Sequence, residues 1–502
     1  MGLLLSGLLL RCNHLDAPLL EGAAAKQTHT AMVARNLYRG RASWLRPLVD
    51  DIGRPGYFLK EVPLVPGTAA LAYRLTGRVD ERAGRLIGIV AWLAGSLFLH
   101  AIVRRSVTNG VALLAVAWFL AAPLGIVYSR AFMSDAALVA ASLAAFLTLL
   151  RWRDGPSAAR ALAVGLFAGL SLALKPHAVF WLVPAGIVLC RATSAPRRAA
   201  SGRELTMLLA CLTIGATPPA VWYAHAFALH RVYPAAGAMV ADGWVAPRLL
   251  LDPALYLEIA RQIVQMVFTP LGLVVTLIGL ALHHGDRTPT ERALLAWGIG
   301  TIAQCLVFAT RMLDQRARGT EYYLLPLVPV AALLLAQGCA SVSAWIESRF
   351  PRAGNAAVAG LFALLLVSGI TIARRAAAIP PQYGSLLERC ERVRSLTGPS
   401  DELFVLSDRG GTVLYYCDRR GTALTLGNAV GERLASETAR ASDADIAKAL
   451  QGARYIYVPF PELLDSRQAF AESLERDWRR VPGAEDLWLF ERGDGNLRRR
   501  AP

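Results

Sequence analysis

Long apolar runs recur over the first 377 residues of this chain and limit it to a small set of folds. A helix needs about 20 apolar residues to cross the hydrocarbon core of a bilayer, where only helices and closed barrels satisfy the backbone. The runs predict membrane helices near 86–103, 109–128, 136–150, 161–174, 178–190, 205–226, 262–283, 294–310, 323–340 and 356–377. The apolar segment 1–10 predicts a further membrane helix, and a misassigned start codon would explain why it is short. The fold class that we expect is therefore an all-α polytopic membrane bundle of about eleven helices.

The charged residues divide the chain in two. Residues 378–502 hold 18 basic and 19 acidic side chains, a density that is typical of a soluble domain. Residues 1–377 hold 35 basic and 18 acidic side chains, and they therefore carry the whole basic excess. We predict a membrane domain over 1–377 and a soluble domain over 378–502, in which alternating helix and strand signals indicate an α/β fold. Basic residues that alternate with apolar runs argue against a nucleic-acid binder.

The loops between the predicted helices differ in charge on the two sides of the membrane. Alternate short loops carry 13 arginines against five acidic residues, and such an excess marks the cytoplasmic side. The opposite side then receives the tail and the long segment 11–85, in which amphipathic helices are predicted to lie on the membrane surface. We therefore expect a cytoplasmic N-terminus and a tail on the outer side of the membrane. Membrane lipids are the expected partners of the helices, and the oligomeric state is left open.

Ionisable residues gather at the helix ends on this outer side. Charge placed there is costly to bury and often marks a functional site. The carboxylates are Asp16, Glu21, Glu61, Asp135 and Glu321, and the basic and aromatic candidates are Arg130, Lys175, His177, Arg318 and Tyr322. A carboxylate can take the proton of an attacking hydroxyl, and a lysine or arginine can hold a phosphate. The set suits a reaction on an anionic lipid head group, although wet helix ends with snorkelling side chains would show the same pattern.

Three weaker signals each have two interpretations. Asp50 and Asp51 could form a metal pair, but adjacent carboxylates in a turn-rich stretch are more often solvated, so a divalent metal is not indicated and no cofactor is required. A disulfide can join Cys390 to Cys417 in the tail, but two helix-packed thiols are favoured. The segment 408–411 could hold a phosphate at a helix N-terminus, but a plain strand-to-helix turn is the better interpretation.

Two other classes of protein compete with an enzyme. A transporter or flippase would also place charges in a polytopic bundle, commonly with internal repeats and a site near the bilayer midplane. We find no repeat, and the charged candidates lie on one face of the membrane. A scaffold or sensor would leave Asp16 and Asp135 dispensable. The large outer segment and the soluble tail favour an enzyme.

Several short motifs occur in order along residues 13–340. They are Asn13–Asp16, Lys26–Tyr38, Glu61–Leu64, Tyr73–Gly77, Tyr128–Asp135, Gly169–Lys175 and Tyr322–Pro329. In this order they resemble the GT-C membrane glycosyltransferases, in particular the bacterial branch related to protein O-mannosyltransferases and lipid A aminoarabinose transferases. The resemblance implies a bacterial inner-membrane enzyme with its tail in the periplasm. It would transfer a sugar, with inversion, from a polyprenyl-phosphate donor to a lipopolysaccharide, glycan or protein acceptor.

The resemblance also implies roles for single residues. Asp16 falls at the loop carboxylate that acts as general base, and Asp135 and Glu61 fall at two further acidic positions. Lys175 and Arg318 fall where relatives hold the donor phosphate. The candidate substrate contacts are Glu21, Arg130, His177, Glu321 and Tyr322. Relatives often have an aspartate where this chain has His29, so Asp16 would carry more of the chemistry, with Glu21 as its competitor.

Overall fold

The computed structural model describes residues 1–191, 201–234, 237–238, 247–282, 285–313, 321–351, 353–425 and 443–492. Within these ranges the chain is mostly helical, and every predicted apolar run overlaps one or two helices. The α-helices are, in chain order, α1 Gly2–Cys12, α2 Ala24–Tyr38, α3 Leu64–Thr76, α4 Glu81–Val103, α5 Asn109–Ala121, α6 Pro123–Ser129, α7 Asp135–Asp154, α8 Ala158–Leu174, α9 Val179–Arg191, α10 Gly202–Val232, α11 Pro253–Gln262, α12 Pro270–Ala281, α13 Pro289–Val307, α14 Ala309–Leu313, α15 Val328–Glu347, α16 Gly354–Ala376, α17 Leu386–Leu396, α18 Gly410–Cys417, α19 Asp443–Ala449 and α20 Gln468–Asp477.

Five of the described helices are long and apolar enough to cross a bilayer, and counting each bent pair as one span raises the number to seven. Three shorter apolar helices are Gly2–Cys12, Ala158–Leu174 and Pro176–Arg191. The predicted runs 109–128 and 262–283 are not single straight helices, because the chain bends by 55° before Pro123 and by 90° before Pro270. Proline disfavours the α conformation in the residue that precedes it. The number of eleven spans stays a prediction.

Helix α7 lies in the centre of the bundle, with other helices packed around it. Of its most apolar window, 78% is buried, and α4 and α8 pack against it. Close packing of α4 depends on Gly88, where an added Cβ would lie only 2.6 Å from the carbonyl oxygen of Ser129. Glycine at such a position lets two membrane helices approach closely. The N-terminus of α7 and the connection that precedes it are therefore held against α4.

The tail forms the predicted α/β fold around a small sheet. Its strands are β3 Glu402–Ser407, β4 Arg420–Thr425, β5 Tyr455–Val458, β6 Arg479–Arg480 and β7 Trp488–Glu491. The order is β4-β3-β5-β7-β6, with β4, β3 and β5 parallel and β7 antiparallel to both of its neighbours. A separate parallel pair joins β1 Phe58–Leu59 to β2 Gly237–Ala238. The division at residue 377 stays a prediction.

Part of the long segment 11–85 packs against the tail. Helix α2 forms where an amphipathic helix is predicted, but most of its side chains are buried because α3 and α18 pack against it. Arg35 donates to the carbonyl of Tyr415 at 2.8 Å, and Arg39 pairs with Asp418 at 2.7 Å. The surface-lying interpretation of α2 is therefore wrong, because α3 and the tail together bury most of its side chains.

Backbone hydrogen bonds extend this attachment to the edge of the sheet. The amides of Gly421 and Ala423 in β4 donate to the carbonyls of Asp50 and Asp51, at 2.8 and 2.9 Å. Ile52 forms an antiparallel bridge with Thr422. The outer segment thus pairs with β4 at the edge of the sheet, which would otherwise present unpaired backbone groups.

A disulfide joins Cys390 in α17 to Cys417 at the end of α18. The sequence favoured two separate packed thiols, and this interpretation is wrong, because the packing of α17 on α18 brings the two Cα atoms within 4.3 Å and the sulfurs are bonded. The bond closes a loop over a sequence separation of 27 residues next to the contact between Arg39 and Asp418. It therefore braces the part of the tail that holds α2.

Replacing both cysteines by serine is expected to destabilise the tail by about 2–4 kcal/mol, the usual contribution of a disulfide that closes a loop of this size. The measurement is the thermal unfolding midpoint of the purified protein in detergent, with and without reductant. Replacing the exposed free cysteine Cys12 by serine is the control. An unfolding midpoint that reductant and both substitutions leave unchanged would contradict the prediction.

Candidate functional site

Two lysines and two carboxylates meet at one end of the bundle, where α7 begins and α8 ends. Lys175, which caps the C-terminus of α8, donates from Nζ to Oδ1 of Asp135 at the start of α7, at 2.6 Å. Lys26 in the first turn of α2 lies 3.4 Å from Glu61. Ser134 joins the two pairs, because its hydroxyl donates to Oε1 of Glu61 at 3.0 Å and it precedes Asp135. We call Lys26, Glu61, Asp135 and Lys175 the lysine–carboxylate cluster.

The cluster is largely buried, and one of its carboxylate oxygens has no hydrogen-bond partner among the described residues. Lys175 is 5% exposed and Asp135 is 3% exposed. Oδ2 of Asp135 is buried and has no hydrogen-bond partner among the described residues. Burial raises the pKa of the Glu61 carboxyl, but the charges of Lys26 and Lys175 and the Ser134 hydroxyl outweigh it and hold that pKa below its usual value. Glu61 is therefore an ionised carboxylate at neutral pH.

Aromatic residues cover the cluster on one side. Nζ of Lys175 lies 4.8 Å from the ring centroid of Tyr322, at a distance that allows a cation–π contact. The hydroxyl of Tyr128 donates to Glu321 at 2.6 Å, and its ring packs edge-on against Tyr322. His177 packs among aromatic rings that include Trp181 and Tyr323. The structure thus brings together five of the predicted residues: Glu61, Asp135, Lys175, Glu321 and Tyr322.

Glu21 forms a different, buried ion cluster. Its two carboxylate oxygens accept hydrogen bonds from Arg85 in α4 and from Arg130, and all three side chains are buried. Arg130 also donates to the carbonyl of Asn13 at 2.5 Å, and Arg85 to that of Ala17 at 2.9 Å. These bonds fix the start of the outer segment to the bundle. Glu21 is therefore engaged in structure, which weakens it as a competitor for the base.

The Asp16 side chain belongs to neither cluster. Its side chain is 81% exposed, and it lies 3.3 Å from Arg82 in the first turn of α4. No hydrogen bond or ion pair joins it to Asp135 or Lys175 in the described part of the chain, and its role as general base stays a prediction. Arg318, the second predicted phosphate ligand, lies outside the described residues.

Asp50 and Asp51 are buried rather than solvated, so the interpretation as exposed turn residues is wrong. The two oxygens of Asp50 accept from Arg35 and Asn36, at 2.9 and 3.1 Å. Asp51 pairs with His29 at 2.6 Å. The outer segment needs these partners because the tail removes both carboxylates from water. Among the described residues, no group of three or more His, Cys, Asp or Glu side chains is close enough to hold a metal ion.

The sequence missed three residues of the site: Lys26, Arg85 and Ser134. Lys26 lies in the motif around His29, Arg85 lies near the start of α4, and Ser134 directly precedes the candidate Asp135. Their pairing depends on contacts between segments that are 35 to 109 residues apart, such as Lys26 with Glu61 and Glu21 with Arg130. A rule that looked for a counter-charge to each buried candidate would have found Lys26 and Arg85.

Comparisons with known proteins concern the fold of the chain. A family model described as dolichyl-phosphate-mannose-protein mannosyltransferase matches residues 60–222. No curated protein sequence matches the chain significantly. Among solved structures, ArnT from Cupriavidus metallidurans bound to undecaprenyl phosphate superposes with a TM-score of 0.63 at 13% identity, over 97% of both chains.

Two further solved structures share the architecture. The oligosaccharyltransferase AglB from Archaeoglobus fulgidus, in complex with an inhibitory peptide and a dolichol-phosphate, gives a TM-score of 0.54 at 14% identity, over 91% of this chain and 69% of AglB. The arabinofuranosyltransferase AftD from Mycobacteria gives a TM-score of 0.54 at 16% identity, over 91% of this chain and 34% of AftD. All three relatives are GT-C glycosyltransferases. This chain has the fold of the GT-C glycosyltransferases, and the resemblance that its sequence motifs indicate is confirmed.

Proposed function

We propose that the chain is an inverting glycosyltransferase that moves a sugar from a polyprenyl-phosphate donor to an envelope acceptor on the periplasmic side of a bacterial inner membrane. The observation that carries the proposal is the lysine–carboxylate cluster at the outer helix ends of a GT-C bundle. Two solved structures with this fold contain a polyprenyl-type lipid phosphate. The bundle would thus offer charge where such a phosphate reaches the surface of the bilayer.

The donor phosphate binds at Lys175 and Lys26. An ammonium group has three donor hydrogens, and the described contacts of Lys175 use one of them for Asp135. The remaining hydrogens can bind phosphate oxygens and stabilise the charge that grows as the bond to the sugar breaks. Arg318 is predicted to add a further cation. The sugar would then lie beside the buried free oxygen of Asp135, which can accept a hydrogen bond from a hydroxyl of the sugar.

The transfer needs one base and one leaving group. Asp16 takes the proton of the acceptor hydroxyl, and the hydroxyl oxygen forms a bond to the anomeric carbon. The bond from that carbon to the phosphate oxygen breaks, and its electron pair leaves on the polyprenyl phosphate. Asp16 suits this role because it is an accessible carboxylate at the outer end of α1, whereas Glu21 is held by two arginines. No covalent enzyme intermediate or metal enters the step.

Two features support the proposed orientation. The disulfide between Cys390 and Cys417 suits an oxidising compartment such as the periplasm. The arginine excess of the alternate short loops suits the cytoplasmic side. The tail, which holds the outer segment in place, would therefore lie on the same side as the lysine–carboxylate cluster.

The test is sugar transfer by the purified protein in nanodiscs, given undecaprenyl phosphates that carry labelled sugars and an extract of envelope acceptors. We expect a labelled product, and we expect Asp16→Asn to lower its rate about 100-fold, the usual effect of removing a general base. Asp154→Asn, at the opposite end of α7, is the control and leaves the rate unchanged. Full activity in Asp16→Asn would exclude Asp16 as the base.

The competing function is a flippase for a lipid-linked sugar. It predicts that the labelled donor crosses the membrane of a proteoliposome without forming a new glycosidic bond. Translocation without a product, from each donor sugar offered, would overturn the glycosyltransferase proposal. Mass analysis of the glycans and lipid A of cells that lack the protein would name the sugar and the acceptor.

A further inference from the structure

An apolar groove of about 1000 Å³ lies between α1, α5 and α16, apart from the lysine–carboxylate cluster. Helix α1 lines it with Leu3, Gly7 and Leu10, and α16 lines it with Leu366, Ile370 and Ala373. Residues at this spacing of three or four lie on one face of a helix. Two helix faces and α5 thus form a continuous apolar wall along helices that we take to lie in the bilayer. Such an apolar surface suits the binding of a hydrocarbon chain.

The outer end of the groove is polar and positively charged. Asn13, His14, Glu21, Arg130 and Arg374 line it. Glu21 is the only acidic residue among the described residues that line the groove, and Arg85 and Arg130 already pair with it. Arg374, in the last turn of α16, is exposed and forms no ion pair with any described residue. The apolar wall therefore ends at an uncompensated positive charge, which suits an amphiphile with an anionic head.

The groove and the cluster meet at one short connection. Residues 130–134 link α6 to α7, and Arg130 lies at the groove while Ser134 reaches Glu61 in the cluster. Two substrates can thus approach the connection from two sides. Asp16 belongs to the groove side, because its neighbours Asn13, His14 and Ala17 line the outer end. An acceptor must lie beside the base, whereas the donor phosphate lies beside the lysines.

From this arrangement we propose that the groove binds the acceptor and that the acceptor is an anionic lipid. Its tail lies along α1 and α16, and its head lies between Arg130 and Arg374, next to Asp16. The inference rests on the proposed function, since it assigns the second substrate of the same reaction. It selects a lipid over a protein or a soluble glycan. A protein acceptor would leave the apolar wall without an occupant.

The binding test uses a phosphatidic acid with a photoreactive diazirine on its acyl chain, in nanodiscs with the full-length protein. We expect cross-links to peptides of α1 and α16. Ser6→Trp places a large ring in the groove from an exposed wall position, and we expect it to lower cross-linking about tenfold. Leu5→Trp is the matched control, because Leu5 is exposed on the same helix and does not line the groove.

The head-group test compares two adjacent arginines. Arg374→Ala is expected to lower the labelling by phosphatidic acid about tenfold, whereas Arg375→Ala, which is equally exposed but does not line the groove, leaves it unchanged. A diazirine phosphatidylcholine labels the groove weakly, because its head has no net charge. Equal labelling by both lipids would overturn the inference, since it would show contact with bulk lipid only.

Competition separates the acceptor from the donor. Excess undecaprenyl phosphate, which shares the donor's tail and phosphate, is expected not to displace the phosphatidic acid probe. Displacement would overturn the inference and make the groove a site for the donor tail. In membranes that contain the native acceptor, Ser6→Trp is expected to lower product formation at least tenfold while binding of undecaprenyl phosphate is unchanged.

The proposed function and this inference fail in different ways. Undiminished transfer by Ser6→Trp would overturn the acceptor site alone. A wild-type protein that transfers no sugar, yet is labelled in the groove, would overturn the proposed function and with it the acceptor assignment. Unfolding midpoints of all variants within a few degrees of the wild type show that lost labelling is not lost folding.

Discussion

Replacing Lys175 by methionine is expected to lower kcat/KM for sugar transfer about a thousandfold. Removing a single group that stabilises charge in a transition state commonly costs 10²–10³ in rate, and Lys175 would also hold the donor in place. Methionine keeps the length of the side chain and removes the charge. The measurement is the initial rate with a labelled polyprenyl-phosphate sugar at several donor concentrations, so that the effects on kcat and KM separate.

The same substitution leaves Asp135 buried without its counter-charge, and a folding defect must be told apart from a catalytic one. Breaking a buried ion pair at one partner costs about 3–5 kcal/mol. The double variant Lys175→Met with Asp135→Asn removes both charges and is expected to recover most of the unfolding midpoint but none of the activity. Lys448→Met, on the exposed side of α19, is the control for losing a lysine. A double variant that regains transfer would show that Lys175 serves only to neutralise Asp135.

The helices and the tail could be predicted because their signals are local. Apolar runs mark α4, α7, α10 and α16, and alternating helix and strand signals mark the tail sheet except for its short edge strand β6. The breaks before Pro123 and Pro270 were not predicted, because the runs 109–128 and 262–283 are continuous in hydropathy and each was taken as one helix. Hydrophobic periodicity and turn chemistry depend on adjacent residues, which a single sequence contains in full.

The partners of the charged residues could not be predicted, because they are set by packing between distant segments. No sequence pattern around Glu21 indicates that Arg130 will bind it. None around Asp50 indicates its contacts with Arg35 and with the edge strand β4. The sequence favoured Asp16 as the base and left Glu21 as its competitor. Burial separates them, since Glu21 is 3% exposed and its carboxylate is held by two arginines, whereas the Asp16 side chain is 81% exposed.

Replacing Glu21 by alanine is expected to be the most damaging single change to folding. It leaves two guanidinium groups without a counter-charge where the side chain of Arg85 is 0% exposed and that of Arg130 is 7% exposed. Removing one partner of a buried ion pair costs about 3–5 kcal/mol, and here one carboxylate serves both arginines. The start of the outer segment would also lose its hold on α4. We expect a lower yield of folded protein and a large drop in the unfolding midpoint, measured in detergent.

Asp16→Ala is the control, because it removes a carboxylate from the same segment without burying a charge, and it is expected to leave the unfolding midpoint unchanged. The triple variant Glu21→Ala, Arg85→Met and Arg130→Met is expected to recover stability, since none of these three positions then carries an unpaired charge. Its transfer activity stays low, because Arg130 also lines the outer end of the groove. If Glu21→Ala kept the wild-type midpoint and lost only activity, the ion cluster would not be structural, and Glu21 would return as a candidate for the base.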